Sequence, residues 1–258
     1  MRLIQWLLLC FVLGYLNAGW AESVRVGGYV FPPYVMMEDG QPRGLTLDVI
    51  DALNALQAED QFQFFLTSSR RRYRDLAEKH YDMLLFEDLR WEWDQRPVTA
   101  TRVIGRDQEV FLAYRDRARG QSFFNDLKDK RLVGMLGYHY AFANYVADQA
   151  FLDTQFNILL SSDPHRNLQL ILVNRPSVAE VAVMPRSFIN CFIREHPEVG
   201  EKLLVSDRVD QRYKLRGLLA PHAPISSQRL NTLLARLEEQ GTLAKLRERY
   251  GLVPLQEE

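Results

Sequence analysis

The chain has 258 residues, with 32 Lys and Arg against 33 Asp and Glu and a formal net charge of −1. That balance lacks the basic excess expected of a nucleic-acid binder, and the length is ample for a buried core without covalent staples. Of the two cysteines, Cys10 lies in an N-terminal apolar run, so its removal would leave Cys191 with no intramolecular partner.

Residues 1–21 have the layout of a secretory signal. Arg2 supplies the positive end, Leu3–Leu16 the apolar run, and Gly19-Trp20-Ala21 the small residues before a cleavage point after Ala21. The run is short for a membrane span. A lipid-modified Cys10 and an uncleaved anchor are the alternatives. Val24–Val30 then reads as a strand, broken by Pro32-Pro33, because proline has no N–H for a ladder. Tyr29, Phe31 and Tyr34 flank this stiff loop. They either fill core or line a crevice outside the strand ends, and Tyr34 is the better pocket candidate.

A turn at Glu38-Asp39-Gly40 leads to Gly44, and Leu45, Val49, Leu53 and Leu56 recur at helical spacing. Phe62–Leu66 alternates as a strand. Arg70–His80 predicts a helix whose Arg70-Arg71-Arg72 run reads as a solvated face, the alternative being one Arg turned inward. Met83–Phe86 and Val110–Tyr114 read as strands. A second cycle follows from Asp126: strand Leu132–Met135, a Gly137 turn into a helix, strand Phe156–Leu160, helix His165–Leu172, strand Val181–Met184 and helix Arg186–Glu195. Lys214–Leu219 reads as a strand. Ser226 caps a helix with Leu230, Leu233, Leu234 and Leu237 on one face, ending at Gly241, before a last helix at Leu243–Tyr250. Strands separated by helices predict an α/β class with a mainly parallel sheet.

The opening, Val24–Asp48, runs strand, aromatic-Pro-Pro-aromatic, acidic-Gly turn, Gly, amphipathic helix. With the Asp126-Leu127-Lys128 phrase before the second cycle, it resembles the family 3 extracellular solute-binding proteins, periplasmic receptors of polar amino-acid ABC transporters. The resemblance implies a two-lobed, periplasmic-binding-protein-like type II fold, with mixed sheets flanked by helices. Lobe I would comprise 22–110 and 215–258, and lobe II 111–214, with crossing segments at Val110–Tyr114 and Lys214–Leu219. It implies a monomeric periplasmic protein that takes a small molecule by hinge closure for an inner-membrane ABC transporter permease, with no cofactor, metal or nucleic acid.

The resemblance also directs attention to the site. In the family, an Arg after the Met83–Phe86 strand grips the ligand carboxylate; here that position falls at Trp93, with Arg90 and Arg96 nearby. Glu87, Arg90, Trp91 and Trp93 are therefore candidate ligand contacts, the rings by stacking or cation–π contact. The Gly137-Tyr138-His139 turn is the candidate anion site, since a helix N-terminus offers free N–H groups. The usual Asp after Val181–Met184 is absent, its place taken by Met184-Pro185. No Walker loop, Gly-x-Ser-x-Gly elbow, dinucleotide fingerprint or zinc spacing among His80, His139, His165, His196 and His222 points to an enzyme. A dehydratase of the cyclohexadienyl type on the same scaffold would need Glu87, Asp88 and His139. A ligand-sensing accessory protein is the third reading.

Overall fold

A computed structural model describes residues 22–252. The signal expected at 1–21 lies outside the described residues. The elements in order are β1 (Glu22–Gly28), β2 (Met36–Glu38), β3 (Gln41–Arg43), α1 (Leu45–Leu56), β4 (Asp60–Leu66), α2 (Arg72–Ala77), β5 (Met83–Glu87) and β6 (Thr99–Tyr114). Then come β7 (Leu132–Met135), α3 (Gln149–Gln155), β8 (Ile158–Ser161), α4 (Pro164–Leu172), β9 (Val181–Pro185), α5 (Arg186–Glu195), α6 (Pro197–Gly200), β10 (Leu203–Leu219), α7 (Ser227–Glu239) and α8 (Thr242–Arg249).

Eight strands form one sheet in the order β4-β1-β5-β10-β6-β9-β7-β8, and β2-β3 form a separate hairpin. The outer trios are parallel, as helical crossovers require. The centre is antiparallel: β10 pairs with both β5 and β6, and β6 with β9. The expectation of a mainly parallel sheet thus holds at both flanks and fails in the middle. The two segments expected to cross between lobes are also far longer than the apolar stretches that signalled them. Strand β6 has 16 residues and β10 has 17, paired along most of their lengths. Their inward faces carry Asp107, Glu109, Gln211 and Tyr213, so the apolar stretches mark only part of each strand.

Helix α1 shows how the opening loop is held. Gly44 sits at φ 127°, where a Cβ would lie 2.6 Å from the Tyr34 carbonyl oxygen. The Leu45 and Thr46 N–H groups donate to the carbonyls of Pro33 and Tyr34 at 3.1 and 2.9 Å. The helix start is thereby docked on the loop that carries Phe31, and its first orphan donors are satisfied by main chain. Leu45, Val49, Ile50 and Leu53 of α1 join Leu230, Leu233, Leu234 and Leu237 of α7 in the main core. A smaller core packs α4 and α5 against β9 and includes Met184. No helix among the described residues is long and apolar enough to cross a membrane.

Candidate functional site

The loops at the strand ends of the two sheet flanks meet around a void of about 10 Å³, lined by Tyr29, Phe31, Arg72, Trp91, Glu109, Tyr138, His139 and Tyr213. A void of that size holds about one water. Its walls are aromatic. Phe31 lies at its centre, edge-on to Trp91 at 5.6 Å, to Tyr138 at 5.5 Å and to Tyr213 at 6.1 Å, and stacked on Tyr34 at 4.6 Å.

Three buried ionisable side chains stand among these rings. Arg72, at 1% exposure, projects from the start of α2 with its guanidinium 4.7 Å from the Tyr29 ring centroid and 4.5 Å from that of Tyr73. Its Nε has no hydrogen-bond partner and lies 3.6 Å from Glu87 Oε2. Glu87 also accepts from the Trp93 indole N–H at 2.6 Å. Glu109, on β6, accepts from Tyr213 Oη at 2.5 Å and Gln211 Nε2 at 2.9 Å through one oxygen, while the other, Oε1, has no partner. Burial pushes the Glu109 carboxyl up to about 8, against the hydrogen bond from Tyr213, so it is largely protonated at neutral pH. His139 is driven the other way, down to about 3, by burial and then by Arg72 and Arg96, so its ring is neutral.

Direct bonds join the two sides of the void. Ser69 Oγ donates to the Leu136 carbonyl at 2.6 Å, Tyr138 Oη to the Val30 carbonyl at 2.9 Å, and Arg72 Nη1 to the Gly137 carbonyl at 3.3 Å. Behind them Asp107 accepts from Tyr34 Oη at 3.1 Å and Ser187 Oγ at 2.5 Å, tying the opening loop, β6 and α5 to one carboxylate. Burial raises Asp107 to about 6.

Of the candidate ligand contacts, Trp91, Tyr138 and His139 line the void and the others lie outside its lining. Tyr34 lies behind Phe31 on Asp107, and Tyr29 takes the lining position instead. Glu87 supports Arg72 and Trp93 from one layer back. Arg90 is turned to the rim, paired with Asp88 at 2.7 Å and donating to Tyr145 Oη at 2.9 Å. Trp93 faces away and packs on Tyr73 at 4.6 Å. Arg96 stacks over the outer side of this cluster, 4.0 Å from the Tyr73 centroid. Neither Arg90 nor Arg96 is the cation in the cleft; Arg72 is, although the Arg70–Arg72 run reads as solvated.

The Gly137 turn is built differently from the helix start expected there. No α-helix follows it: a single 3₁₀ turn, Ala141–Ala143, comes next, and α3 begins only at Gln149. The N–H groups of Ala141 and Phe142 already donate to Asp210 at 2.8 and 2.9 Å, so the chain's own carboxylate fills the place. Gly137 contributes a carbonyl to Arg72, at φ 76°.

A larger groove of about 560 Å³ lies elsewhere, between the β2–β3 hairpin, the start of α1 and the α5 helix. Asp48 there is held by Arg249 at 3.1 Å and by Tyr250 Oη at 2.9 Å, and among the described residues the groove holds no buried orphan atom. The void at the strand ends is smaller but carries the unsatisfied groups, which makes it the candidate site.

No protein-family model matches the sequence, and no curated protein matches it. Solved structures do. A protein from Wolinella succinogenes, assigned as an ABC-transporter binding component and complexed with lysine, is 17% identical over 90% of this chain and 96% of its own, with a TM-score of 0.70. A histidine kinase sensor domain with similarity to periplasmic binding proteins is 18% identical over 90% and 98%, TM-score 0.70. An ancestral amino-acid-binding protein, a precursor of cyclohexadienyl dehydratase, is 17% identical over 93% and 99%, TM-score 0.66. The chain has the two-lobed type II fold of the family 3 solute-binding proteins.

Proposed function

We propose that this chain is a periplasmic receptor that captures a small organic solute between two lobes, 22–110 with 215–258 and 111–214, and delivers it to an inner-membrane ABC transporter permease. One observation carries the reading. Glu109 Oε1 and Arg72 Nε are buried without hydrogen-bond partners at a void walled by aromatic rings. Buried polar atoms left unpaired are costly, and a cleft that a solute enters accounts for them. Binding pockets have volumes of about 300–1,000 Å³, against about 10 Å³ here. Capture therefore begins with the lobes parting about β6 and β10, a motion of the hinge type.

The groups that opening would expose set the ligand class. Arg72 suits a carboxylate, Glu109, once a cation's approach drives off its proton, an amino or other cationic group, and Trp91, Tyr138 and Tyr213 an apolar or aromatic body. The lysine complex of the Wolinella protein is in keeping with such a zwitterion. Native mass spectrometry of the gently purified protein, followed by calorimetry against the twenty common amino acids and their aromatic amines, is the test. A co-purified solute whose affinity falls in Trp91→Ala and Arg72→Met upholds the reading. Absence of any solute, with scattering profiles unchanged across the panel, refutes it. Turnover of the solute would move the protein to the dehydratase-type alternative.

A second reading, a ligand-sensing accessory role, is favoured by the direct lobe-to-lobe bonds. Tyr138, Ser69 and Arg72 bond directly across the cleft, and the histidine kinase sensor domain has the same fold. Purification with an inner-membrane kinase in place of a permease would support it.

A further inference from the structure

A second cavity, of about 430 Å³, lies on the far side of the Tyr73–Trp93 pair from the cleft. It is built from the end of α2, the 93–98 loop and the turn after β10, with Leu76, Ala77, Trp93, Val98 and Pro221 among its apolar walls. Its volume falls in the range of small-molecule pockets, about 300–1,000 Å³, and its predominantly apolar lining with a few polar groups is their usual composition.

The polar groups at this cavity are basic. Lys79, Arg96 and His222 reach it, and no carboxylate does. Two carboxylates nearby are engaged elsewhere, Asp82 with Arg25 at 2.6 Å and Glu78 with Arg74 at 4.0 Å and His80 at 3.7 Å, while Glu92 holds one nitrogen of Arg96 at 3.3 Å in a half-exposed pair that a ligand carboxylate would share. His222 turns inward, 3.2 Å from the Tyr81 carbonyl and 3.6 Å from Asp82. The Lys79 ammonium has no carboxylate partner among the described residues and stands at the mouth with Arg96. An apolar pocket with a lysine and an arginine at its edge complements one ligand chemistry, an apolar or aromatic body bearing a carboxylate.

We propose that this cavity is a second small-molecule site, separate from the interlobe cleft, which binds apolar carboxylates. The ring or chain lies against Trp93, Val98 and Pro221, and the carboxylate meets Lys79 and Arg96. The proposal does not depend on what the cleft binds. The two sites share a wall, however. Tyr73 donates to the Trp91 carbonyl at 2.8 Å, and Trp93 donates to Glu87, the partner of Arg72. Occupancy is therefore readable at the Trp93 indole.

The test uses 4-phenylbutyrate as probe, with 4-phenylbutanol and 4-phenylbutylamine as comparators, on the full secreted protein. Two-dimensional NMR follows the Trp91 and Trp93 indole N–H signals through each titration. The expected result is a saturable shift of the Trp93 signal with the carboxylate, and affinities at least tenfold weaker for the alcohol and the amine. In the Lys79→Gln/Arg96→Gln protein the carboxylate should lose at least tenfold in affinity and its advantage over the alcohol. Ala77→Trp, a substitution at an exposed wall position, should fill the cavity and abolish the Trp93 shift. Equal binding of alcohol and carboxylate, a shift confined to Trp91, or a Trp93 titration unchanged in Ala77→Trp would each overturn the proposal.

Discussion

Replacing Glu109 with Gln should remove most of the pH dependence of stability between pH 6.5 and 8. Glu109 is 1% exposed, and burial raises its carboxyl from an ordinary 4.5 to about 8. In the native state it keeps nearly all of its proton at pH 6.5 and about half at pH 8, while in the unfolded chain it has already lost it. The native state thus binds up to about one more proton than the unfolded state, and stability falls as pH rises. The slope is about 1.4 kcal/mol per pH unit, or roughly 2 kcal/mol from pH 6.5 to 8, within a ceiling on the order of 5 kcal/mol for the whole shift. Two other cleft groups act elsewhere. His139, held neutral down to about 3 in place of 6.5, costs stability only as pH falls below about 6.5, and Asp107, raised to about 6, adds stability only below that value. The amide of the Glu109→Gln variant would accept the Tyr213 and Gln211 bonds as the protonated acid does, with its nitrogen at the place of the orphan oxygen. Urea unfolding at half-unit pH steps is the assay, with the Glu109 carboxyl followed by ¹³C NMR. A slope as steep in Glu109→Gln as in the wild type would refute the assignment, as would a Glu109 titration near 4.5.

Tyr138→Phe removes the donor to the Val30 carbonyl across the cleft and should weaken the closed form by about 0.5–1.5 kcal/mol; small-angle scattering should show a larger radius of gyration. Arg72→Met leaves Glu87 buried without its cation and should cost about 3–5 kcal/mol, whereas Arg71→Gln, at an exposed neighbour, should change stability by less than about 0.5 kcal/mol; thermal unfolding compares the two. Gly44→Ala places a Cβ 2.6 Å from the Tyr34 carbonyl at φ 127° and should cost more than the 1 kcal/mol or so expected for Gly40→Ala, where φ is 76° and nothing lies within 4 Å; chemical denaturation of both variants reads the difference.

What was legible in the sequence was whatever repeats with an apolar period. Helix α7 shows Leu230, Leu233, Leu234 and Leu237 on one face, and all are buried. Strands β5, β7 and β9 are short apolar runs buried along their length. The site was harder because it is made of polar groups placed inside. On β6, Asp107 and Glu109 share a face with Phe111 and Ala113, two residues apart, and all four are buried. A reading that followed the strand period through the charges, not only through the apolar residues, would have found both carboxylates. Arg72 stands four residues before Leu76, so it shares the inner face of α2, while Arg71 and Arg74 point outward. Of the three successive arginines that lead into α2, Arg70 and Arg71 are exposed, and Arg72, the one aligned with the leucine, is buried. The missing helix after Gly137 left no such trace, since Asp210, which caps that turn, lies far along the chain.

The direct closure of the cleft bears on how a solute would compete. The donors that join the lobes, Ser69 Oγ, Tyr138 Oη and the Arg72 guanidinium, are among the groups a solute would use, and here they are spent on the Leu136, Val30 and Gly137 carbonyls. A form whose cleft holds only about 10 Å³ cannot admit a solute, so the population in that form lowers apparent affinity in proportion. On the proposed reading, closure on a solute must exceed closure through these bonds alone. Its advantage would lie in the atoms these bonds leave unpaired, Glu109 Oε1 and Arg72 Nε. A solute that satisfies both gains what the internal bonds cannot supply, and one that reaches neither only replaces contacts the protein already makes. Selectivity in such a cleft follows from the residual unsatisfied groups of the closed form more than from the rings, which pack on one another whether or not a ligand is present.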